Sequence, residues 1–382
     1  MSWIVPYNKL DAQQREFVDN ENIDDKNIWI KGFPGSGKSV LLAHTIKKIR
    51  EERPKASIVV VVYTRSLINM FQEAFSQMGE KVDVITYFQL QKETNNYDYI
   101  LCDEIQDFKR EILESMRSKG RHIVVSGDEN QSIYDETVSP SEIRSYLSCK
   151  EYELSIIHRL SRDIINVVQK FMPNMSIFSA KLDLTKKSTQ VRLCESDDEY
   201  EEVKYVMREA TKAVNCGTSA AILIPKHEDI VEFVNRALIE KGKPMWELKK
   251  NRYGKPDYGD LNEHLEENNI PLQYVGNGYG YSIDESRKIT LMTYHSSKGL
   301  DFDNVFMPCL NTQLNINNDE ELSKKLFMVA MTRSRENLYL TYSGSKHSYL
   351  DKFAGICHNI NIHDALTNRP SSSSRSSNPF GI

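Results

Sequence analysis

The sequence has no apolar run approaching the ~18 residues that span a bilayer, so no transmembrane helix and no membrane partner is expected. Its first residues, MSWIVPYNKLDAQQ, lack a basic region followed by an apolar core, which excludes a signal peptide as an expectation. The six cysteines (Cys102, Cys149, Cys194, Cys216, Cys309, Cys357) include no C-x-x-C pair. They read as reduced thiols of a cytoplasmic protein and not as metal ligands. No internal repeat at a solenoid period is present. Strong charge is missing too: the net charge is −5, which does not advertise a polyanion partner but leaves room for a local basic groove. What remains is a globular composition, 40% hydrophobic and 27% charged over 382 residues, long enough for two or three domains.

Against this plain background one stretch stands out, Gly32-Phe33-Pro34-Gly35-Ser36-Gly37-Lys38-Ser39. It fits G-x-x-x-x-G-K-[ST] at every fixed position. An apolar strand-like run, Ile28-Trp29-Ile30, precedes it, and Val40 to Ile46 follows with helical spacing. The glycines let the backbone wrap a phosphate and aim N–H groups and a helix N-terminus at negative charge. Lys38 then reaches the terminal phosphates, and the Ser39 hydroxyl can ligate Mg²⁺. The chain is therefore expected to bind a nucleoside triphosphate with Mg²⁺.

From residue 28 to 150 strands alternate with helices, which implies an α/β fold with a mainly parallel sheet and ligands at the carboxyl ends of its strands. Ile58 to Tyr63 is a continuous apolar run suited to a strand covered on both faces. The strand Tyr97 to Cys102 delivers the adjacent carboxylates Asp103 and Glu104. Beside a phosphate loop, one can hold Mg²⁺ and the other orient the attacking water. The strand Ile123 to Ser126 ends in Gly127-Asp128. Leu154 to Met172 has helical spacing that includes His158 and Arg159, and strands and helices then repeat as a second αβ lobe to about Tyr342. Residues 241–285 interleave Lys249, Lys250, Arg252 and Lys255 with Trp246, Tyr253, Tyr258, Tyr274, Tyr279 and Tyr281. Such text lines a single-strand groove, or it forms an insertion with exposed tyrosines. The expected divisions are 1–150, 151–365 with a small insertion at about 241–285, and a Ser/Pro-rich disordered tail over 366–382.

In order along the chain, these motifs resemble those of superfamily 1 helicases of the UvrD/Rep/PcrA-like branch. LDAQQ resembles the glutamine motif, which implies Gln14 on the adenine. GFPGSGKS is the phosphate loop, DEIQD (Asp103 to Asp107) the magnesium motif, and GDENQSIY the motif whose glutamine, Gln131, senses the γ-phosphate. His158-Arg159 stands where the family has Tyr-Arg, TYHSSKGLDF (Thr293 to Phe302) matches T-x-H-x-x-K-G-L-E-F, and VAMTRS carries the arginine Arg333. The resemblance implies two RecA-like P-loop lobes, Gly299 and Asp301 on the nucleotide, and arginines Arg159 and Arg333 that reach it from the second lobe on closure. It also implies strand contacts at Thr64, Thr86, Tyr87, Tyr134, Thr293 and His295. The implied activity is ATP-dependent translocation or unwinding, 3′ to 5′ on single-stranded DNA. The large accessory insertions of the family are absent, which marks a minimal motor with a possible need for a protein partner; RNA in place of DNA stays open. The other reading is a nucleic-acid-stimulated ATPase subunit of a repair or anti-phage system that unwinds little alone. His158 in place of tyrosine, Val40 in place of arginine and the shorter Asp301 alter the nucleotide grip. The missing tryptophan after Tyr134 and the missing histidine in Thr86-Tyr87-Phe88 alter the strand path.

Overall fold

A computed structural model describes residues 4–128, 131–134, 137–173, 181–182, 190–276 and 288–367, with side chains omitted at 65, 66, 181 and 182. Glu129, Asn130, Tyr279, Tyr281 and the tail from 368 onward lie outside the described residues, as do the two residues after Tyr134.

Two parallel sheets organise the chain. The first contains β1 (Ile28–Gly32), β2 (Ile58–Val62), β3 (Asp83–Thr86), β4 (Tyr97–Cys102), β5 (Gly120–Gly127) and β6 (Lys150–Leu154), in the order β3-β2-β4-β5-β1-β6. A short pair, β7 (Ile156–Ile157) and β8 (Lys181–Leu182), follows. The second sheet contains β9 (Val191–Ser196), β10 (Ala220–Ile224), β13 (Leu272–Tyr274), β14 (Ile289–Thr293), β15 (Phe302–Met307), β16 (Ser334–Ser343) and β17 (His358–Asn361), in the order β13-β14-β10-β15-β16-β9-β17. Between β10 and β13, β11 (Lys249–Lys250) and β12 (Pro256–Asp257) form a small antiparallel hairpin.

Helices cover both faces of each sheet, and alternation along the strands shows it. Ile58, Val60 and Val62 of β2 join one core cluster, and Val59 and Val61 join another. Ala221 and Leu223 of β10 go to one side of the second sheet, Ala220, Ile222 and Ile224 to the other. A strand turns successive side chains to opposite faces, so an unbroken apolar run is what two-sided cover demands. Phe33 and Ile133, from loops of the first lobe, sit in the core cluster of the second with Leu300 and Phe302, so apolar packing ties the lobes together.

Two expectations are corrected. The helical pattern read from Leu154 onward is strand through Ile157, and the helix itself is Arg162–Phe171, capped by Ser161. His158 and Arg159 therefore sit on a loop. The described part of the region, 241–276, is built into the second lobe, with β13 as the edge strand of its sheet. Trp246, Tyr258 and Tyr274 are buried in that lobe's core, and Tyr253 alone of the four described aromatics of this region is exposed.

Candidate active site

The phosphate loop is shaped by two left-handed glycines. Gly35 has φ +77° and Gly37 φ +88°, a region that L side chains avoid. Space adds a second requirement. A Cβ on Gly35 would lie 2.5 Å from the Arg159 Cβ, and one on Gly37 would lie 2.4 Å from the Gln14 Nε2. Gly37 caps the helix Lys38–Glu52, whose first turn holds no acidic residue, so the helix's positive end is left for an anion. Lys38 is buried, and its Nζ donates to the carbonyls of Gly32 (2.8 Å) and Phe33 (3.1 Å). Burial lowers its pKa against the pull of Asp128, Glu104 and Asp103. The Ser36 hydroxyl is buried with no hydrogen-bond partner among the described residues.

β4 delivers the carboxylates at its carboxyl end. Asp103 accepts from the Ser39 hydroxyl (2.6 Å), the Glu104 N–H (3.0 Å) and the Ser126 hydroxyl. Burial and the neighbouring Glu104 raise its pKa. Glu104 has φ +56°, an uncommon conformation for a residue with a side chain, worth ~1–3 kcal/mol of strain that the surroundings must hold. Gln106 does part of that holding. Its Nε2 donates to the Glu104 carboxylate at 2.5 Å, while its Oε1 accepts the Asp128 N–H at 3.0 Å. Burial pushes the Glu104 carboxyl up, but Lys298, Lys38 and the Gln106 hydrogen bond outweigh it, so Glu104 lies below its ordinary value.

Arg159 comes to the site differently from expectation. The His158 and Arg159 N–H groups donate to the Gly35 carbonyl (2.9 and 3.2 Å), so this loop's backbone is docked on the phosphate loop. Its neighbours Ile157 and Leu160 pack into the second lobe's core, and its side chain reaches toward the Thr332 carbonyl (3.3 Å) and Asp301 (3.6 Å). Arg333 does arrive from the second lobe. It is buried, donates to the Val329 (2.9 Å) and Leu300 (3.2 Å) carbonyls, and reaches the Gln131 Oε1 across the cleft at 3.2 Å. Burial, with Arg159 nearby, lowers its pKa to about 9. Gln131 is a junction, since its amide also donates to Asp128 (3.0 Å) and its carbonyl accepts from Lys298.

These residues enclose a cavity of about 480 Å³. Gln14, Pro34, Gly35, Gly37, Lys38, Ser39, Glu104, Gln131, His158, Arg159, Gly299, Asp301 and Arg333 line it; Gly32, Ser36 and Asp103 stand behind the lining. Gln14 donates to the Ser36 carbonyl at 3.0 Å, and the His158 ring meets Asp11 at 2.6 Å, so both are held at one wall. The wall also includes Arg335 and Lys9, which the motif reading passed over. Arg335 could have been found as the second arginine of TRSR, placed by β16 beside Asp303 at 3.3 Å. The donor set fits a triphosphate with a divalent cation: an orphaned buried hydroxyl, a buried ammonium bonded only to carbonyls, an open helix terminus, and a serine–aspartate pair.

A second feature lies along the same cleft. Tyr134 stacks on Tyr63 (centroids 4.2 Å apart, 21°), with Tyr87 5.1 Å from Tyr63 and His295 6.1 Å from Tyr134. The proposed strand residues Tyr87, Tyr134 and His295 are thus brought together, with Thr64 next to Tyr63 in the chain. Thr86 and Thr293 spend their hydroxyls locally, Thr86 capping the helix Tyr87–Lys92 and Thr293 bonding Ser296. The connection 294–301 leaves the carboxyl end of β14 and enters the amino end of β15, so it runs the height of the sheet. His295 at its start meets the aromatic cluster, and Asp301 at its end lines the cavity. Between them Lys298, buried, ion-pairs with buried Asp107 at 2.7 Å across the lobes. Burial, outweighing Lys298, pushes the Asp107 carboxyl up to about 7. Both lie inside motifs read from the sequence, DEIQD and TYHSSKGLDF, but neither was given a role there.

The fold and site define a two-lobed P-loop nucleotide-binding protein, its cavity shared between two RecA-like sheets. Residues 14–137 match the model of an AAA domain, and residues 247–345 that of the UvrD-like helicase C-terminal domain. The ATP-dependent DNA helicase Rep of Buchnera aphidicola subsp. Schizaphis graminum is 41% identical over 71 residues, 17% of this chain and 11% of its own length. A protein of Acanthamoeba polyphaga mimivirus, provisionally named an ATP-dependent DNA helicase, is 23% identical over 311 residues, 76% of this chain and 40% of its own. A solved Arterivirus nonstructural protein 10 (helicase) overlays with a TM-score of 0.45 at 15% identity, covering 87% of this chain and 62% of that one; the two-lobed fold is read from this chain's own sheets. Over these matched segments the chain is similar to UvrD/Rep-like helicases. It spans less than half the length of these two curated relatives.

Proposed function

We propose that this chain is an ATP- and Mg²⁺-dependent motor on nucleic acid, moving 3′ to 5′ on single-stranded DNA in the cytoplasm. The observation that carries the reading is one cavity lined from both lobes, with Lys38, Glu104 and Gln131 on one side and Arg333 on the other. Lys38 and the loop N–H groups would hold the phosphates of ATP, with Gln14 and His158 at the base. Ser39 and Asp103 would hold Mg²⁺, which when bound neutralises phosphate charge during transfer. Glu104 would orient the attacking water and take its proton. Arg159 and Arg333 would stabilise the charge that spreads over the transferred group, an effect worth ~10³–10⁵ in rate for a well-placed arginine. Lobe closure and hydrolysis would then depend on each other. The connection 294–301, touching both the cavity and the aromatic cluster, would pass that movement to a strand stacked near Tyr63, Tyr134 and His295. We take the lobes to divide close to residue 150, and a protein partner to assist unwinding.

The test is ATP hydrolysis by the purified chain alone and with single-stranded DNA, duplex DNA or single-stranded RNA, with Glu104→Gln as control. Stimulation by single-stranded DNA supports the motor, and opposite-overhang substrates then read polarity. Stimulated hydrolysis without strand displacement would move the assignment to an ATPase subunit. Hydrolysis that persists in Glu104→Gln would reject the site.

A further inference from the structure

Residues 241–255 carry six cations, Lys241, Lys243, Lys249, Lys250, Arg252 and Lys255, against one carboxylate, Glu247, in a chain of net charge −5. All six are exposed. Lys241 pairs with Glu240 (3.1 Å) and Lys249 with Asp260 (2.6 Å), but among the described residues no carboxylate pairs with Lys243, Lys250, Arg252 or Lys255. Asp257 stands opposite Lys249 in the hairpin, and four gathered cations that no described carboxylate pairs still leave a region of positive potential on a chain of net negative charge.

The segment is held firmly. Trp246 and Tyr258 flank the β11–β12 hairpin, are buried, and stack at 5.9 Å. The Trp246 indole donates to Asp260 at 3.0 Å, and the Asn235 side chain bonds the Trp246 backbone in both directions. At the tip, Asn251 Oδ1 accepts the N–H groups of Tyr253 (2.9 Å) and Lys255 (3.1 Å), closing a turn completed by Gly254 at φ +73°. The tip presents the Tyr253 ring, 70% exposed, with the Arg252 guanidinium 4.7 Å from its centroid.

The hairpin also stands at a useful end of the lobe. His227 is the first helical residue after β10, so it marks the carboxyl-end side of the second sheet. Its ring is 5.5 Å from Tyr258, and its Nδ1 is 3.0 Å from the hydroxyl of Tyr274, the last residue of β13. That is the end at which β14 leads to His295.

We propose that this hairpin is a second nucleic-acid contact outside the cleft, taking the phosphodiester backbone on Lys250, Arg252 and Lys255. Charge complementarity and position at the strand end of the second lobe select a polyanionic strand. The inference rests on the reading that the chain engages nucleic acid.

The test compares the full chain with Lys250→Glu/Arg252→Glu/Lys255→Glu by fluorescence anisotropy, using a labelled single-stranded oligonucleotide and a duplex across a salt series. Circular dichroism melting confirms that the variant keeps the wild-type fold, as exposed substitutions should. Affinity is expected to fall at least roughly tenfold, with the log–log salt slope shallower by about three, close to one per lost phosphate contact. Unchanged affinity and slope in the variant would overturn the hairpin contact while leaving the motor reading intact. Failure of the wild-type chain to bind either oligonucleotide would overturn both. Hairpin-dependent binding of polyglutamate, with nucleic-acid binding unaffected by the triple change, would overturn it in favour of an acidic protein partner.

Discussion

Two strand-to-helix turns occupy corresponding places in the two sheets and have opposite electrostatics. β1 lies between β5 and β6, and β9 between β16 and β17. After β1 the chain makes a glycine loop, and the next helix opens with Gly37, Lys38 and no acidic residue. After β9 it goes directly into the helix Glu199–Asn215, capped by the Asp198 side chain, with Glu199, Glu201 and Glu202 in its first turn. A helix N-terminus carries roughly half a positive charge. The first turn leaves that charge for a ligand, and the second neutralises it internally. Glu202 is buried and accepts from the Thr341 hydroxyl (2.6 Å) and the Cys309 N–H (2.7 Å), so even its carboxylate serves the fold. The comparison teaches that the sheet topology offers an anion site twice and that local sequence decides which offer is kept.

Breaking the first turn's chemistry should have the largest effect. Lys38→Ala and Glu104→Gln are each expected to lower ATP turnover by ~10³-fold or more, measured by phosphate release, the scale set by charge stabilisation in phosphoryl transfer. Residual turnover within tenfold of wild type would remove these residues from the site. Breaking the turn's shape comes next. Gly37→Ala adds a Cβ at φ +88° and 2.4 Å from Gln14, so nucleotide affinity should fall about a hundredfold by titration with a fluorescent analogue. The left-handed conformation itself should cost ~1–2 kcal/mol of stability.

A smaller change sharpens how the first turn's carboxylate is tuned. Gln106→Leu removes a hydrogen bond that favours ionised Glu104. Because Glu104 lies below its ordinary value, the wild-type kcat/KM should lose this base only as pH falls below the usual carboxylate range. In the variant the carboxylate is less favoured, its pKa rises, and the acid limb should move to higher pH. Since kcat/KM reports groups of the free enzyme, an unmoved limb would deny Gln106 this positioning role. The smallest effect belongs to the second turn. Asp198→Ala should cost about 1 kcal/mol in thermal or urea unfolding as a lost helix cap, with nucleotide affinity unchanged. A parallel loss of affinity would mean that the two turns are less separate than the geometry makes them.

How much of this was legible depended on the range of the interactions. Gly32 to Ser39 and Asp103-Glu104 announce themselves because each works through a strand end and a few residues beside it. The two-sided sheet was likewise visible in Ile58 to Val62. The start of the helix at Arg162 was not, since Leu154, Ile156 and Ile157 satisfy helical spacing and strand burial alike. Trp246, Tyr258 and Tyr274 were ambiguous for a related reason: aromatic rings suit a core as well as a groove, and only their contacts with Asn235, Asp260 and His227 in the folded lobe settle which. The ion pair of Lys298 with Asp107 joins residues 191 positions apart, and no spacing reports it.

The sequence by itself determined the phosphate-loop motif of the first lobe and the parallel α/β architecture, because these follow from local backbone conformation and hydrophobic period; Arg159 and Arg333 were pointed to only by the resemblance of their motifs. Tertiary structure decided which lobe carries each group. It docked the backbone of Arg159 on Gly35 in the first lobe, brought Arg333 across to Gln131, and ran one connection from the aromatic cluster to the cavity. It also turned three aromatics inward and left a basic hairpin outside. Burial, charge pairing and cleft geometry arise only when distant segments share a volume, and that is where the difference between the two halves of this molecule is made.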